Sequence, residues 1–299
     1  MALELRHLRY LLAVAENGTF TRAAEELHIS QPTLSQQIKQ LERLLGTQLL
    51  DRTGRTVRLT DAGEAYVHHA RRALRDLAAA ERAVHDVQDL TRGHLRLAVT
   101  PTFTAYLTGP LAAELHSRHP GITLTLREMT QDRIETGLLA DEIDLGIAFT
   151  GTHLPGITAT ELFTEALTLV TSALHPADDH RALPVANLAR MQLALLTGDF
   201  ATRTHIDDYF ARHGISPRTA VEANSIQALT AIVQRTTLAT VLPDAIAHDH
   251  PHLTLVPLDP PLPVRTVALL TRTDAYQSAA ARAFTDLTHD LVRTGERRA

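Results

Sequence analysis

The 299-residue sequence contains no cysteine. Disulfides, thiol nucleophiles and thiolate metal sites are therefore excluded, and with them any sensing through cysteine oxidation. Long hydrophobic runs are missing as well. The N-terminal stretch MALELRHLRYLLAVAENG offers only Tyr10 to Ala15 before Glu16 interrupts it, far short of the roughly 18 apolar residues that a membrane span needs. It reads as an amphipathic helix with Leu5, Leu8, Leu12 and Ala15 inward, not as a signal peptide, so a cytoplasmic location is expected. Catalytic signatures are absent too: there is no GxSxG, no P-loop and no dinucleotide glycine fingerprint. Asp141, Glu142 and Asp144 read as a helix end and an exposed turn, not as a paired acid and base. His248-Asp249-His250-Pro251-His252 alternates imidazoles as a zinc site could, but Pro251 and the lack of a second cluster make it a solvated loop. No enzyme, metal or cofactor is expected.

Phe20 to Gly46, FTRAAEELHISQPTLSQQIKQLERLLG, carries the most information. Ala23, Ala24 and Leu27 repeat at helical spacing, and so do Leu34, Ile38, Leu41 and Leu45, so two short helices around a tight turn share one core. Ser30 can cap the second helix, and Pro32 sits in its first turn, where a missing N–H costs nothing. The outer face carries Thr33, Gln36, Gln37, Lys39, Gln40 and Arg43, which suit base edges and phosphates. Thr47 to Leu50 and Val57 to Thr60 read as short strands joined by Asp51-Arg52-Thr53-Gly54-Arg55-Thr56, an arginine-tipped turn able to reach a groove or a phosphate. The spacing predicts a winged helix-turn-helix. Its DNA-facing set is Thr21, Arg22, Gln31, Thr33, Ser35, Gln36, Lys39, Gln40, Arg52 and Arg55.

The pattern AA..L..SQP.LS..I..LE..LG..L..R, then a wing, then LT.AG, runs from Ala23 to Gly63 and resembles the LysR-type transcriptional regulators. The resemblance spans the whole chain. It implies an α+β multidomain protein: an N-terminal winged helix-turn-helix, a long linker helix that dimerises, and a C-terminal two-lobed α/β domain like a periplasmic binding protein. GHLRLAVTPTFTAYLTGPL, LTLREMTQDRIE, DLGIAF, FATR and EANSI resemble more narrowly the members that activate a cyanate-degradation operon. By resemblance the partners are a double-stranded DNA operator, RNA polymerase, further copies in a dimer or dimer of dimers, and a small-anion effector such as cyanate. Some LysR-type proteins sense through cysteine, a mode closed to this chain.

Charge is divided unevenly. Residues 1 to 60 hold eight Lys/Arg against six Asp/Glu, while residues 93 to 299 hold 16 against 22, within an overall −5. A mildly basic head favours a modest phosphate footprint completed by a second copy. Residues 61 to 91 contain a single Gly and no Pro, and Thr60 or Asp61 can cap them as one helix. Val67, Ala70, Leu74, Leu77, Glu81, Val84 and Val87 form a seam that pairs with another copy or packs on the chain's own domains. Arg71, Arg72, Arg75, His68 and His69 form the solvated face.

From His94 the pattern alternates. HLRLAVT, ITLTLREM, DLGIAF and LALLT, separated by helical stretches, read as β-α-β units with a largely parallel sheet, and LTLVT, LALLT, TAVEA and LATVLP read as a second set. The expected domains are 1–60, 61–91 and 92–299. By analogy, lobe I spans about 92–164 and 270–299, and lobe II about 165–269. Ligands sit at the carboxyl ends of such strands. There Thr100, Thr102 and Phe103, Thr202, and Asn224 with Ser225 open three helices, where N–H groups and hydroxyls can hold an anion without Arg or Lys. Ordinary N-capping accounts for each of these taken singly. Gln131 and Phe149 complete the expected effector set. The lack of an arginine fork points to a small monovalent anion and away from a dicarboxylate or aromatic acid.

Two alternatives remain at this stage. One is a LysR-type regulator of another catabolic operon with a different organic acid. The other is a ligand-independent architectural DNA-binding protein, which would not require so long a C-terminal part. A solute-binding protein would fit residues 94 to 299 alone, but would lack the reader at the N-terminus.

Overall fold

The computed structural model describes residues 3–54, 56–88, 93–172, 182–248 and 250–296. They fall into two compact units, Met1–Val84 and His85–Ala299.

In the first unit, α1 (Leu5–Asn17), α2 (Phe20–Glu26) and α3 (Gln31–Leu45) are followed by β1 (Leu50–Asp51), β2 (Arg58–Leu59) and the start of α4 (Asp61–Gln88). Ser30 accepts the Thr33 N–H at 3.3 Å to cap α3, with Pro32 in the first turn, and Thr60 caps α4 by accepting the Gly63 N–H at 3.0 Å. Leu11, Val14, Ala23, Ala24, Leu34, Ile38, Leu41, Leu49, Leu50 and Val67 share one core. The α1 stripe differs from expectation: Leu5 is exposed, and His7, Leu8, Leu11 and Val14 are inward. Leu45 is exposed as well, because α3 ends in a left-handed cap at Gly46 that carries its last turn past the core. The wing strands are shorter than expected, pairing Leu50 with Leu59 and Asp51 with Arg58. At Gly63 a Cβ would lie 2.0 Å from the Leu49 carbonyl oxygen, so only glycine lets α4 pass so close to the wing.

The second unit runs β3 (Gly93–Val99), α5 (Pro101–Thr104), α6 (Thr108–Arg118), β4 (Ile122–Glu128), α7 (Gln131–Leu139), β5 (Leu145–Phe149), β6 (Ile157–Glu165), β7 (Leu167–Ser172), β8 (Leu183–Pro184), a 3₁₀ turn (Val185–Arg190) and β9 (Gln192–Leu196). It continues with α8 (Ala201–Arg212), β10 (Arg218–Ala223), α9 (Ile226–Val233), β11 (Thr240–Pro243), α10 (Asp244–His248), β12 (Leu253–Val256), β13 (Leu258–Asp259), β14 (Arg265–Arg272) and α11 (Ala279–Glu296).

Lobe I is the sheet β4-β3-β5-β14-β6. Lobe II contains the pair β10-β9 and the sheet β11-β7-β12, joined by a parallel bridge between Leu193 and Ala239. The two lobes thus repeat one strand order. In each, four of the five strands run in one direction and only the fourth in the order, β14 in lobe I and β7 in lobe II, runs against them. The sheets are thus largely parallel in strand direction, as expected, with one reversed strand in each, and LALLT lies in lobe II alone. Asp144 is no free turn acid: it pairs with Arg96 of β3 at 2.6 Å and pins the start of β5.

Candidate nucleic-acid interface and effector cleft

In α3 the buried stripe Leu34, Ile38, Leu41 turns the opposite face to solvent. Gln31, Thr33, Gln36 and Lys39 are exposed there, Ser35 and Gln40 are half-buried, and Thr21 and Arg22 are exposed on α2. Thr33 Oγ1 lies 2.7 Å from Ser30 Oγ, so its hydroxyl is shared with the cap. Gln37, expected on this face, is half-buried, and its Oε1 is buried without a hydrogen bond.

The wing departs from expectation at Arg52. Its guanidinium is not lifted off the surface. It donates to Glu42 Oε2 at 2.7 Å and lies over the Phe20 ring, 5.3 Å from the centroid. Glu42 also accepts the Leu49 and Leu50 N–H groups through Oε1 at 3.0 and 3.2 Å. One carboxylate of α3 thereby fixes the start of the wing. Arg55 lies outside the described residues.

On α4, Val67 is buried within the first unit's own core, Ala70 is buried, Leu74 is half-buried and Leu77 is exposed. The seam is thus divided: its N-terminal turns are used internally, and Leu77 faces solvent. The side chains of Arg75, Glu81, Val84 and Val87 lie outside the description.

Within the second unit the expected effector residues do not share one wall. Thr100, Thr102, Phe103 and Thr202 are buried. Thr102 Oγ1 meets Thr202 Oγ1 at 3.1 Å across the lobes, and Phe103 packs on Phe149 with centroids 5.0 Å apart. Two cavities flank this contact. The larger, about 490 Å³, is lined by Gln131, Phe149, Thr150, Thr204, His205 and Arg265, with Asp132, Asp199 and Asp208 among its other residues. The smaller, about 400 Å³, is lined by Pro101, Thr104, Glu128, Ser225, Gln227 and His250. Ser225 is engaged as the cap of α9, accepting the Ala228 N–H at 3.3 Å, and Asn224 is exposed and borders neither cavity. Gln131 is locked by Phe149, donating to its carbonyl and accepting its N–H, each at 3.2 Å.

The expected absence of arginine is overturned by Arg265. This residue opens β14 and is 8 % exposed, opposite Glu165 at 3 %. Arg265 Nε donates to Glu165 Oε2 at 2.5 Å, Nη1 donates to Thr202 Oγ1 at 2.9 Å, and the guanidinium stacks 3.8 Å from the Phe149 centroid. Tyr106 donates to the other Glu165 oxygen at 2.5 Å. Burial pushes the Glu165 carboxyl up against the opposing pull of Arg265, and burial and then Glu165 push the Tyr106 phenol up. Arg265 shares a strand face with Val267 and Leu269, so period-2 alternation places a charge on a buried face. That was the available signal, and Glu165, a hundred residues distant, had none. Among the described residues no group of three or more His, Cys, Asp or Glu is placed to hold a metal, and Asp249 lies outside the description.

A winged helix-turn-helix followed by a two-lobed domain with an inter-lobe cleft defines a ligand-linked DNA-binding architecture. The family models agree: residues 5–64 match the bacterial regulatory helix-turn-helix protein, lysR family, and residues 88–293 match the LysR substrate binding domain. The chain belongs to the LysR family of DNA-binding transcriptional regulators. It is 33% identical over 246 residues to the nitrogen assimilation regulatory protein nac of Klebsiella aerogenes, covering 82% of this chain and 80% of that one. It is 30% identical over 274 residues, 90% of each chain, to the DNA-binding transcriptional dual regulator OxyR of Escherichia coli. Among solved structures, full-length OxyR C199D from Pseudomonas aeruginosa has a TM-score of 0.69 at 26% identity, covering 98% and 95% of the two chains. Full-length CbnR complexed with its target DNA has a TM-score of 0.58 at 26% identity, covering 97% and 100%. No helix among the described residues is long and apolar enough to cross a membrane.

Proposed function

We propose that this chain is a cytoplasmic, ligand-responsive regulator that binds an operator as a dimer or dimer of dimers and activates a neighbouring operon through RNA polymerase when a small anion occupies the inter-lobe cleft. The observation that carries the reading is the solvent-facing set Gln31, Gln36 and Lys39 on a capped helix, within a chain that also holds an inter-lobe cavity of about 490 Å³. The CbnR–DNA complex supports the DNA half, since that relative of like architecture engages its target DNA. The working division is a DNA-binding domain at 1–60, a linker helix at 61–91 and an effector-binding domain at 92–299.

Cyanate as the effector rests on the resemblance of the cleft segments quoted above. The relatives nac and OxyR do not carry that specificity in their names, and Arg265 admits other monoanions. The absence of cysteine directs any response to the cleft and away from thiol chemistry. Gel-shift titration of the full chain on the DNA flanking its own gene, with and without cyanate, tests both halves. No retardation by the full chain refutes the regulator reading, and an unchanged shift with cyanate refutes only the effector.

A further inference from the structure

We propose that Arg265 is the anion-receiving residue of the 490 Å³ cavity, and that a ligand's single negative group takes Nη1 of its guanidinium in place of the Thr202 hydroxyl, with Glu165 as the internal competitor for the same charge. The proposal deepens the reading of the cleft as an effector site and rests on it.

Arg265 and His205 are the cationic-type side chains lining the cavity, and Arg265 alone carries fixed charge. One side of its guanidinium faces the carboxylate and the other a neutral acceptor. Nε and Nη2 both lie 2.5 Å from Glu165 Oε2, while Nη1 serves only the neutral hydroxyl of Thr202. An anion replacing the Thr202 hydroxyl exchanges a neutral acceptor for a charged one, which is the stronger hydrogen bond.

A buried ion pair is seldom retained for stability, since an apolar pair of like volume does as well or better. This one sits where a signal would be needed. Glu165 ends β6 and Arg265 opens β14, the two places where the chain passes between lobes, and they face each other in register. Thr202, the Nη1 acceptor, belongs to lobe II. An anion that takes Nη1 therefore loosens or re-forms the Arg265–Thr202 tie between lobes.

The cavity rim selects among anions. Asp132 from lobe I and Asp199 and Asp208 from lobe II line it and are exposed. A second negative charge on the ligand would face these carboxylates and be repelled. The chemical class is thus a compact monoanion, and dianions are excluded.

The test uses the full chain and isothermal calorimetry with cyanate, acetate and succinate, alongside melting curves. Glu165→Gln removes the competitor while its amide fills the same space, so an anion can reach Arg265 only from the cavity. This variant is expected to melt lower than the parent, to recover on addition of cyanate or acetate, and to bind them at least about tenfold more tightly, with no response to succinate. The double variant E165Q/R265Q leaves no unpaired buried charge and is expected to fold and to lose monoanion binding. Monoanion affinity unchanged in Glu165→Gln, monoanion binding retained in E165Q/R265Q, or no heat with either monoanion in Glu165→Gln would each overturn the assignment. Operator retardation by the parent is measured in parallel, so that failure here is distinguished from failure of the regulator reading.

Discussion

Glu42 of α3 holds Arg52 of the wing at 2.7 Å, and the same carboxylate accepts the Leu49 and Leu50 N–H groups. An arginine that could have been spent on a phosphate is spent on orientation. The wing's placement relative to α3 is fixed before DNA arrives, so binding loses less to ordering.

Glu42→Ala should leave the Leu49 and Leu50 N–H groups and Arg52 without their acceptor. A loss of about 2–3 kcal/mol in urea unfolding is expected, with weaker operator retardation, because hydrogen bonds to a charged group are among the stronger ones. Glu42→Gln should recover part of it. Stability of the alanine variant equal to the parent would show that the wing stands on its own strands.

On the reading face, Gln36→Ala should relax specificity at one position per half-site by about 1–3 kcal/mol, whereas Lys39→Ala should weaken all sequences alike and reduce the salt slope by about one. Titrations on operator and scrambled DNA at two salt concentrations separate these. Identical behaviour of the two variants would mean the face is misassigned.

Assembly is addressed by Leu77, exposed at 42 %. Leu77→Glu is expected to split the oligomer, since a charge buried between paired helices is costly, while the fold of the first unit stays intact because Val67 and Tyr66 supply α4's contacts to its core. Light scattering reports the mass. A variant of unchanged mass would place the contact elsewhere.

Acid stability should bear the mark of Glu135. Burial raises its pKa, but hydrogen bonds from His153, the Leu154 N–H and Gln131 outweigh that and hold the carboxyl below its ordinary value of 4.5. Its stabilising contribution is therefore present above that value and is lost as pH falls through the lowered one. Urea midpoints taken from pH 6 downward should fall less steeply below about pH 4.5 for Glu135→Gln than for the parent. Parallel curves would refute this.

Gly63→Ala should prevent the close packing of α4 on Leu49, because the added methyl would sit 2.0 Å from a backbone oxygen that cannot move aside cheaply. Circular dichroism should show a melting point several degrees lower, consistent with about 2 kcal/mol or more.

How much of this was legible in the sequence depended on range. The helix-turn-helix and its Ser30 cap are local: residues three or four apart decide them, so periodicity suffices. Arg52 misled because its partner Glu42 lies ten residues upstream on another element, and composition cannot tell a free arginine from one held in place. The α1 stripe was right at Leu8 but one position off beyond it, with Leu11 and Val14 inward in place of Leu12 and Ala15 and with Leu5 outward, since a helix rich in leucine offers two adjacent phases. Thr100, Thr102 and Thr202 were found, but as a buried partition and not as an open wall. The Glu165–Arg265 pair, formed by residues a hundred positions apart, leaves almost no mark on either segment, and the inference that the cleft had no arginine failed for that reason.

The repeated strand order of the two lobes has a mechanical corollary. Among the described residues the chain joins the lobes at two places, between β6 and β7 and between β13 and β14, where β6 and β14 are neighbours in the lobe I sheet, β7 is central in its lobe II sheet and β13 pairs with β8. Two tethers side by side define a line. Rotation about that line bends only the few residues at the crossings and spares every ladder in both sheets, while twisting or sliding would stretch one tether against the other. Opening of the cleft about that line is therefore the motion that disturbs the two sheets least, and it is opposed by the Thr202 contacts to Thr102 and Arg265.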